Sequence, residues 1–250
     1  MTRAFIHAGA LAAAALAGVF SLQACARTAA PAATAPAATA PAAAAPAAAA
    51  PGAIPRTLGN WRLGTNYTLL EEPVPPALPA GKVEVVEAFW YGCGHCYALD
   101  PALESWKASK PAYVEFVRIP VIWGQSHRQH AKLFYTIQAL GRPDLHAKIF
   151  EAIHRGGKLL SAPRDEDARA LQLEFAKENG ITEKAFNTAY DSMPVATSVQ
   201  HAEELTQRYV VSSVPLIIVN GKYVTGVGPA GGAPQLLTLI NDLSASEKGR

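Results

Sequence analysis

Two of the chain's three cysteines, Cys93 and Cys96, stand two residues apart in the stretch YGCGHCYALDP, Tyr91–Pro101, with His95 between them. Cysteines so spaced serve as metal ligands, as a permanent crosslink or as an exchanging redox pair. Structural zinc takes four ligands, commonly from two such pairs, and the sequence holds no second pair. His127 and His130 share a helix face, but their spacing does not bring them to Cys93, so no metal is expected. A crosslink over two residues closes so short a loop that it removes little entropy from the unfolded chain. Redox exchange is the chemistry the pair fits, provided it follows a strand and opens a helix.

The flanking elements meet that condition. VEVVEAF, Val83–Phe89, is the β-branched and apolar run of a buried strand. A helical pattern starts at the cysteines and continues to about Ala108. Positions i and i+3 share a helix face, so the two thiols can join and part with little backbone motion. Cys93 falls at the helix N-terminus, where free N–H groups and the macrodipole favour an anion. Its pKa is therefore expected well below the free thiol value of about 8.5. Cys96, one turn in, is expected to be the more buried, resolving thiol, and His95 to add further stabilisation to the Cys93 thiolate. YVEFVRIPV, Tyr113–Val121, supplies the next strand and completes a βαβ unit, which implies a parallel pair with a right-handed crossover.

Beyond it the periodicity becomes helical, from about His127 to Val210. Four or five helices are expected: His127–Leu140, Pro143–His154, Asp165–Asn179 with Gly180 at C′, Glu183–Asp191 capped by Thr182, and Val195–Tyr209 with Pro194 in its first turn. Strands return in PLIIV, Pro215–Val219, and KYVTG, joined by Asn220-Gly221, a type I′ hairpin signal. A short edge strand is expected at Asn66–Leu70 and a last amphipathic helix over Ala233–Ala245. Gly226–Gly231 matches G-x-G-x-x-G, but the chain ends before the further strand and acid that a dinucleotide site requires; it reads as a turn. The whole is an α/β layer, a βαβ half and a ββα half, with an all-helical insertion at about 124–210.

The stretch VVEAFWYGCGHCYALDP resembles the active-site segment of thioredoxin-fold oxidoreductases. Together with the helical insertion and SSVPLIIVNGKYV, it is similar to the DsbA-type thiol:disulfide interchange proteins of bacterial envelopes. The resemblance runs from about Gly59 to the end of the chain, and it implies a thioredoxin-like fold and an enzyme whose redox centre is the Cys93–Cys96 disulfide, with no cofactor besides. It implies that Glu87, on the strand beneath the cysteines, moves the proton of the second thiol; burial raises a carboxyl pKa and suits it to that task. It implies that Val214-Pro215 is the cis-proline loop that packs against the cysteines and offers backbone to an extended substrate. Pro101 either kinks the active-site helix or ends it. The implied partners are reduced or unfolded exported proteins and a DsbB-like, quinone-linked membrane oxidase. Gly94 departs from the family pattern: strongly oxidising members carry Pro-His between the cysteines, whereas Gly-His is the dipeptide of disulfide isomerases.

The N-terminal end adds an address. Arg3 and the short apolar run Ala8–Phe20 read as a secretory signal, too short for a span of about 20 residues. Leu22-Gln23-Ala24-Cys25 resembles a lipoprotein lipobox, which implies cleavage after residue 24 and lipidation of Cys25. Residues 25–56 are expected to form an Ala/Pro-rich tether reaching at most roughly 90 Å at about 3.1 Å per residue, ahead of a domain at 57–250. The expected location is the periplasm, anchored to a membrane, with the outer membrane the favoured one because no Asp follows Cys25. The net charge of +2 and the absence of long basic runs give no sign of nucleic-acid binding. Two rival readings share this sequence: an isomerase or reductase of the same fold, and a non-enzymatic metal-binding or chaperone lipoprotein.

Overall fold

The computed structural model describes residues 57–76 and 78–249. The expected signal (1–24), Cys25 and the tether (25–56) lie outside the described residues. A small hairpin, β1 Thr57–Leu58 and β2 Trp61–Arg62, opens the domain and was not expected. The Trp61 indole N–H pins it to the last helix by donating to Asp242 at 2.7 Å.

The main sheet has five strands: β3 Thr68–Leu69, β4 Val83–Phe89, β5 Val114–Pro120, β6 Leu216–Val219 and β7 Tyr223–Thr225. Their order is β3-β7-β6-β4-β5, with β4 and β5 parallel and the other pairs antiparallel. β4 lies between β6 and β5, and all its residues but Glu84 are buried. That explains its largely apolar composition, since a strand covered on both faces has no need to alternate. The edge strand expected at Asn66–Leu70 is only two residues long. Asn220 and Gly221 both take positive φ, 53° and 59°, in a turn closed by the Lys222 N–H to the Val219 carbonyl at 3.0 Å. This is the type I′ geometry that the dipeptide favours.

One face of the sheet is covered by α1 Gly94–Ser109 and α8 Ala233–Glu247. Leu99, Leu103, Leu236, Leu239, Ile240 and Leu243 recur at helical spacing and are fully buried against Val83, Val85, Ile217 and Val219. Each such side chain contributes about 1.5–3 kcal/mol by leaving water. α1 runs through Pro101 rather than ending at it. The insertion comprises α2 Gln125–Ala139, α3 Leu145–His154, α4 Asp165–Glu178, α5 Glu183–Tyr190 and α6 Met193–Arg208. Thr182 caps α5 by accepting from the Ala185 N–H at 3.3 Å, and Gly180 takes φ +80° after α4. α2 and α6 each begin about two residues earlier than expected. The stretch Gly226–Gly231 is not a simple turn: Val227–Ala230 forms one helical turn, α7.

Candidate active site

Cys93 is the N-cap of α1, in extended conformation, and its sulfur accepts the Cys96 backbone N–H at 3.3 Å. The Cys93 thiol points to the Val214 carbonyl, 3.5 Å away. Its pKa is lowered to about 6, first by the hydrogen bond from the Cys96 side chain, then by the N–H groups of Cys96 and His95 and the His95 charge, against an opposing effect of burial. Cys96 lies fully buried one turn in. Its thiol is pushed far above the ordinary range by its hydrogen bond to Cys93, by burial and by the charges of Cys93 and Glu87. The two sulfurs thus divide into a half-exposed thiolate and a buried thiol that keeps its proton. His95 and Gly94 are exposed, and a Cβ added at Gly94 would meet nothing within 4 Å, so the fold does not demand glycine there.

Glu87 shares the α1-facing side of β4 with Val83 and Val85, and is 1% exposed. Its strand register sets it opposite Arg118 of β5, whose Nε donates to it at 2.8 Å. The same guanidinium binds Asp100 of α1 at 2.7 Å and also Glu104. His146 Nε2 approaches Asp100 at 3.3 Å. One guanidinium facing three carboxylates leaves excess negative charge, and the carboxyl with least access to water is the one that yields. Burial, resisted by Arg118 and reinforced by Asp100 and Glu104, accordingly raises Glu87 to about 7. Burial also acts on Asp100, but His146 and Arg118 outweigh it and hold that carboxyl below its usual value. Sequence reasoning placed Glu87 in an apolar setting and missed Arg118, Asp100, Glu104 and His146. The one available signal was an arginine inside the β5 run.

The Val214–Pro215 peptide is cis. Beside it, His95, Leu99, Pro215, Val227 and Pro229 line an open, largely apolar groove of about 530 Å³. The glycine-rich stretch set aside as a turn therefore builds one wall of the groove next to the cysteines. His130 is buried with Nε2 at 2.8 Å from the Leu159 carbonyl, while His127 stacks on Trp90 at 4.3 Å. Among the described residues, no group of three or more His, Cys, Asp and Glu side chains is arranged to hold a metal ion.

A Cys-x-x-Cys pair at the mouth of a βαβ unit, facing a cis-proline loop, on a mixed sheet with a helical insertion, defines a thioredoxin-fold thiol:disulfide oxidoreductase. No protein-family model matches the chain. Curated relatives do: it is 39% identical over 188 residues to the thiol:disulfide interchange protein DsbA of Azotobacter vinelandii, covering 75% of this chain and 85% of that protein. It is 37% identical over 190 residues to the DsbA of Pseudomonas aeruginosa, covering 76% and 87%. The crystal structure of Pseudomonas aeruginosa DsbA matches with a TM-score of 0.68 at 38% identity, over 75% of this chain and 94% of that one. The oxidoreductase DsbA from Xylella fastidiosa matches at 0.65 and 27% identity, over 74% and 96%. The chain belongs to the DsbA family of thiol:disulfide interchange proteins.

Proposed function

We propose that this protein is a periplasmic oxidase that donates a Cys93–Cys96 disulfide to reduced, newly exported proteins. A substrate thiolate attacks the Cys93 sulfur, the S–S bond breaks, and Cys96 leaves as a thiolate that takes a proton, with Glu87 as the nearby donor. The substrate's second thiolate then attacks the substrate sulfur of the mixed disulfide and expels Cys93 as a thiolate. The substrate loses two electrons and the protein gains them. A DsbB-like, quinone-linked membrane oxidase removes those electrons again. The backbone at Val214-Pro215 and the adjoining apolar groove hold the substrate as an extended strand.

The observation that carries this direction is the place of the Cys93 sulfur at the N-cap of α1, where it accepts the Cys96 N–H at 3.3 Å, a setting that lowers its pKa to about 6. A thiolate stabilised only in the reduced protein favours the reduced state, and so makes the disulfide an oxidant. The exchange partners at neutral pH also differ in leaving-group quality: a sulfur of low pKa departs faster. Gly94 in place of proline argues for a potential nearer the isomerase value of about −180 mV than the about −120 mV of the strong oxidant in this family. Equilibration of the Cys93–Cys96 pair with glutathione tests the reading. A potential below about −250 mV, in the range of thioredoxin, would make it a reductase instead. Refolding of a reduced multi-cysteine substrate, with and without supplied oxidant, separates oxidase from isomerase.

Residues 1–24 are proposed as a lipoprotein signal, Cys25 as the lipidated residue and 25–56 as the tether, with the outer membrane as the anchoring site. The sequence pattern supports this part of the reading.

A further inference from the structure

The redox motif is bracketed by two tyrosines, Tyr91 and Tyr97, and one helix of the insertion, α3, holds both. The buried Tyr91 hydroxyl lies 2.8 Å from His146 Nδ1. Asp100 stands 3.3 Å from the other ring nitrogen. At the backbone end of the same residue, His154 Nε2–H donates to the Tyr91 carbonyl at 2.8 Å. Between them Phe150 meets the Tyr91 ring edge-on, with centroids 5.0 Å apart. His146, Phe150 and His154 are four residues apart in turn and share one face of α3.

Tyr97 is gripped from the other side of the motif. Its ring lies flat on His154, with centroids 4.9 Å apart and planes 4° from parallel. Its hydroxyl donates to Glu151 and accepts from the Arg155 Nε–H, both at 2.7 Å. His154 thus touches the residue that precedes Gly92-Cys93 and the residue that follows Cys96.

The turn that presents Cys93 is short. Tyr91 and Gly92 are its middle residues, and the Cys93 N–H closes it on the Trp90 carbonyl at 3.0 Å. Gly92 has no side chain because a Cβ there would stand 2.4 Å from the Trp90 ring. The N–H groups that stabilise the Cys93 thiolate aim at its sulfur only while this turn holds the residue in its cap conformation, since a hydrogen bond weakens steeply with angle.

We propose that His154 is a positioning residue for the exchange reaction: by tying Tyr91 to Tyr97 it holds Cys93 in its cap geometry and joins the helical insertion to the redox pair. The inference rests on the reading of Cys93 as the exchanging sulfur. His154 touches no reacting atom.

The test uses the full-length reduced protein, with alkylation at Cys93 followed by peptide mass against pH, in the wild type, His154→Leu and His154→Gln. Leucine keeps bulk but offers no donor, whereas the glutamine amide can reproduce the Nε2–H. The expected result is a rise of about one unit in the Cys93 midpoint for His154→Leu, about tenfold less thiolate below the midpoint, with most of it restored by His154→Gln. A leucine variant that is folded and keeps the wild-type midpoint would overturn the proposal. Should that variant fail to fold, Tyr97→Leu removes the stacked ring from the surface of α1 and carries the same expectation; an unchanged midpoint there overturns it equally. A wild-type midpoint in the ordinary thiol range would instead overturn the reading of Cys93 itself, and this inference with it.

Discussion

Cys93 and Cys96 are the same residue type three positions apart, and what separates them is access to N–H groups and to water. Cys93 sits where the first turn of α1 directs N–H groups without helical partners at its sulfur, and Cys96 supplies one of those N–H groups while its own side chain is buried. Brief treatment of the reduced protein with iodoacetamide near pH 7 should therefore label Cys93 well ahead of Cys96. Cys96→Ala should accumulate mixed disulfides through Cys93, visible as high-mass species that reductant collapses; equal labelling of the two thiols would refute the division. The placement of the pair at the head of α1 and of Glu87 on the buried strand was legible because these residues lie close in sequence and the strand–helix junction is plain. Arg118, Asp100, Glu104 and His146 were not, because each reaches Glu87 or its partners across elements whose register no local pattern reveals. Glu87 and Arg118 are cross-strand partners of a parallel pair, 31 residues apart in the chain.

At the scale of elements, the sequence announced its turns better than its edges. Asn220-Gly221 marked the β6–β7 hairpin correctly, and Thr182 and Gly180 marked helix ends. What the dipeptide could not show is that Gly221 also lies under the chain at Val74. An added Cβ would stand 1.6 Å from the Val74 carbonyl, at a φ of +59° that alanine adopts poorly. Gly221→Ala should accordingly destabilise the domain by about 2–4 kcal/mol, read as a lower denaturant midpoint with an unchanged slope. An unshifted midpoint would mean that the loop before β4 moves aside freely. The β1–β2 hairpin and the one-turn α7 went unseen because two- and four-residue elements carry no period; tertiary contacts such as Trp61 to Asp242 make them.

For the molecule as a whole, the thiolate links redox state to stability. Cys93 has a folded pKa of about 6 against an ordinary thiol value of about 8.5, so its contribution is fully present above the unfolded value and lost as pH falls through the folded one. The reduced form, with Cys25 replaced by serine, should melt above the oxidised form at neutral pH, and the gap should shrink on acidification from about pH 8 to pH 4. Glu87 works in the opposite sense, its contribution being present below 4.5 and lost as pH rises through about 7. An oxidised form that is the more stable near pH 7 would overturn the oxidase reading. Cys25→Ser in the otherwise native chain should release the protein from membranes without detergent, or leave it unprocessed; a wild type that already washes off freely would remove the anchor. The rims of the five-stranded sheet bear on the company this protein keeps. One rim, β3, is two residues long. The other, β5, carries the charged Glu115 and Arg118, ends in Pro120, which has no N–H to offer, and is touched by α2 and α6. Short, charged or covered rims resist the strand-to-strand pairing by which β-sheets recruit loose polypeptide. On the proposed reading, a catalyst that meets unfolded chains can then hold one at its sulfur and the cis-proline loop without offering the sheet's rims as a seed for aggregation.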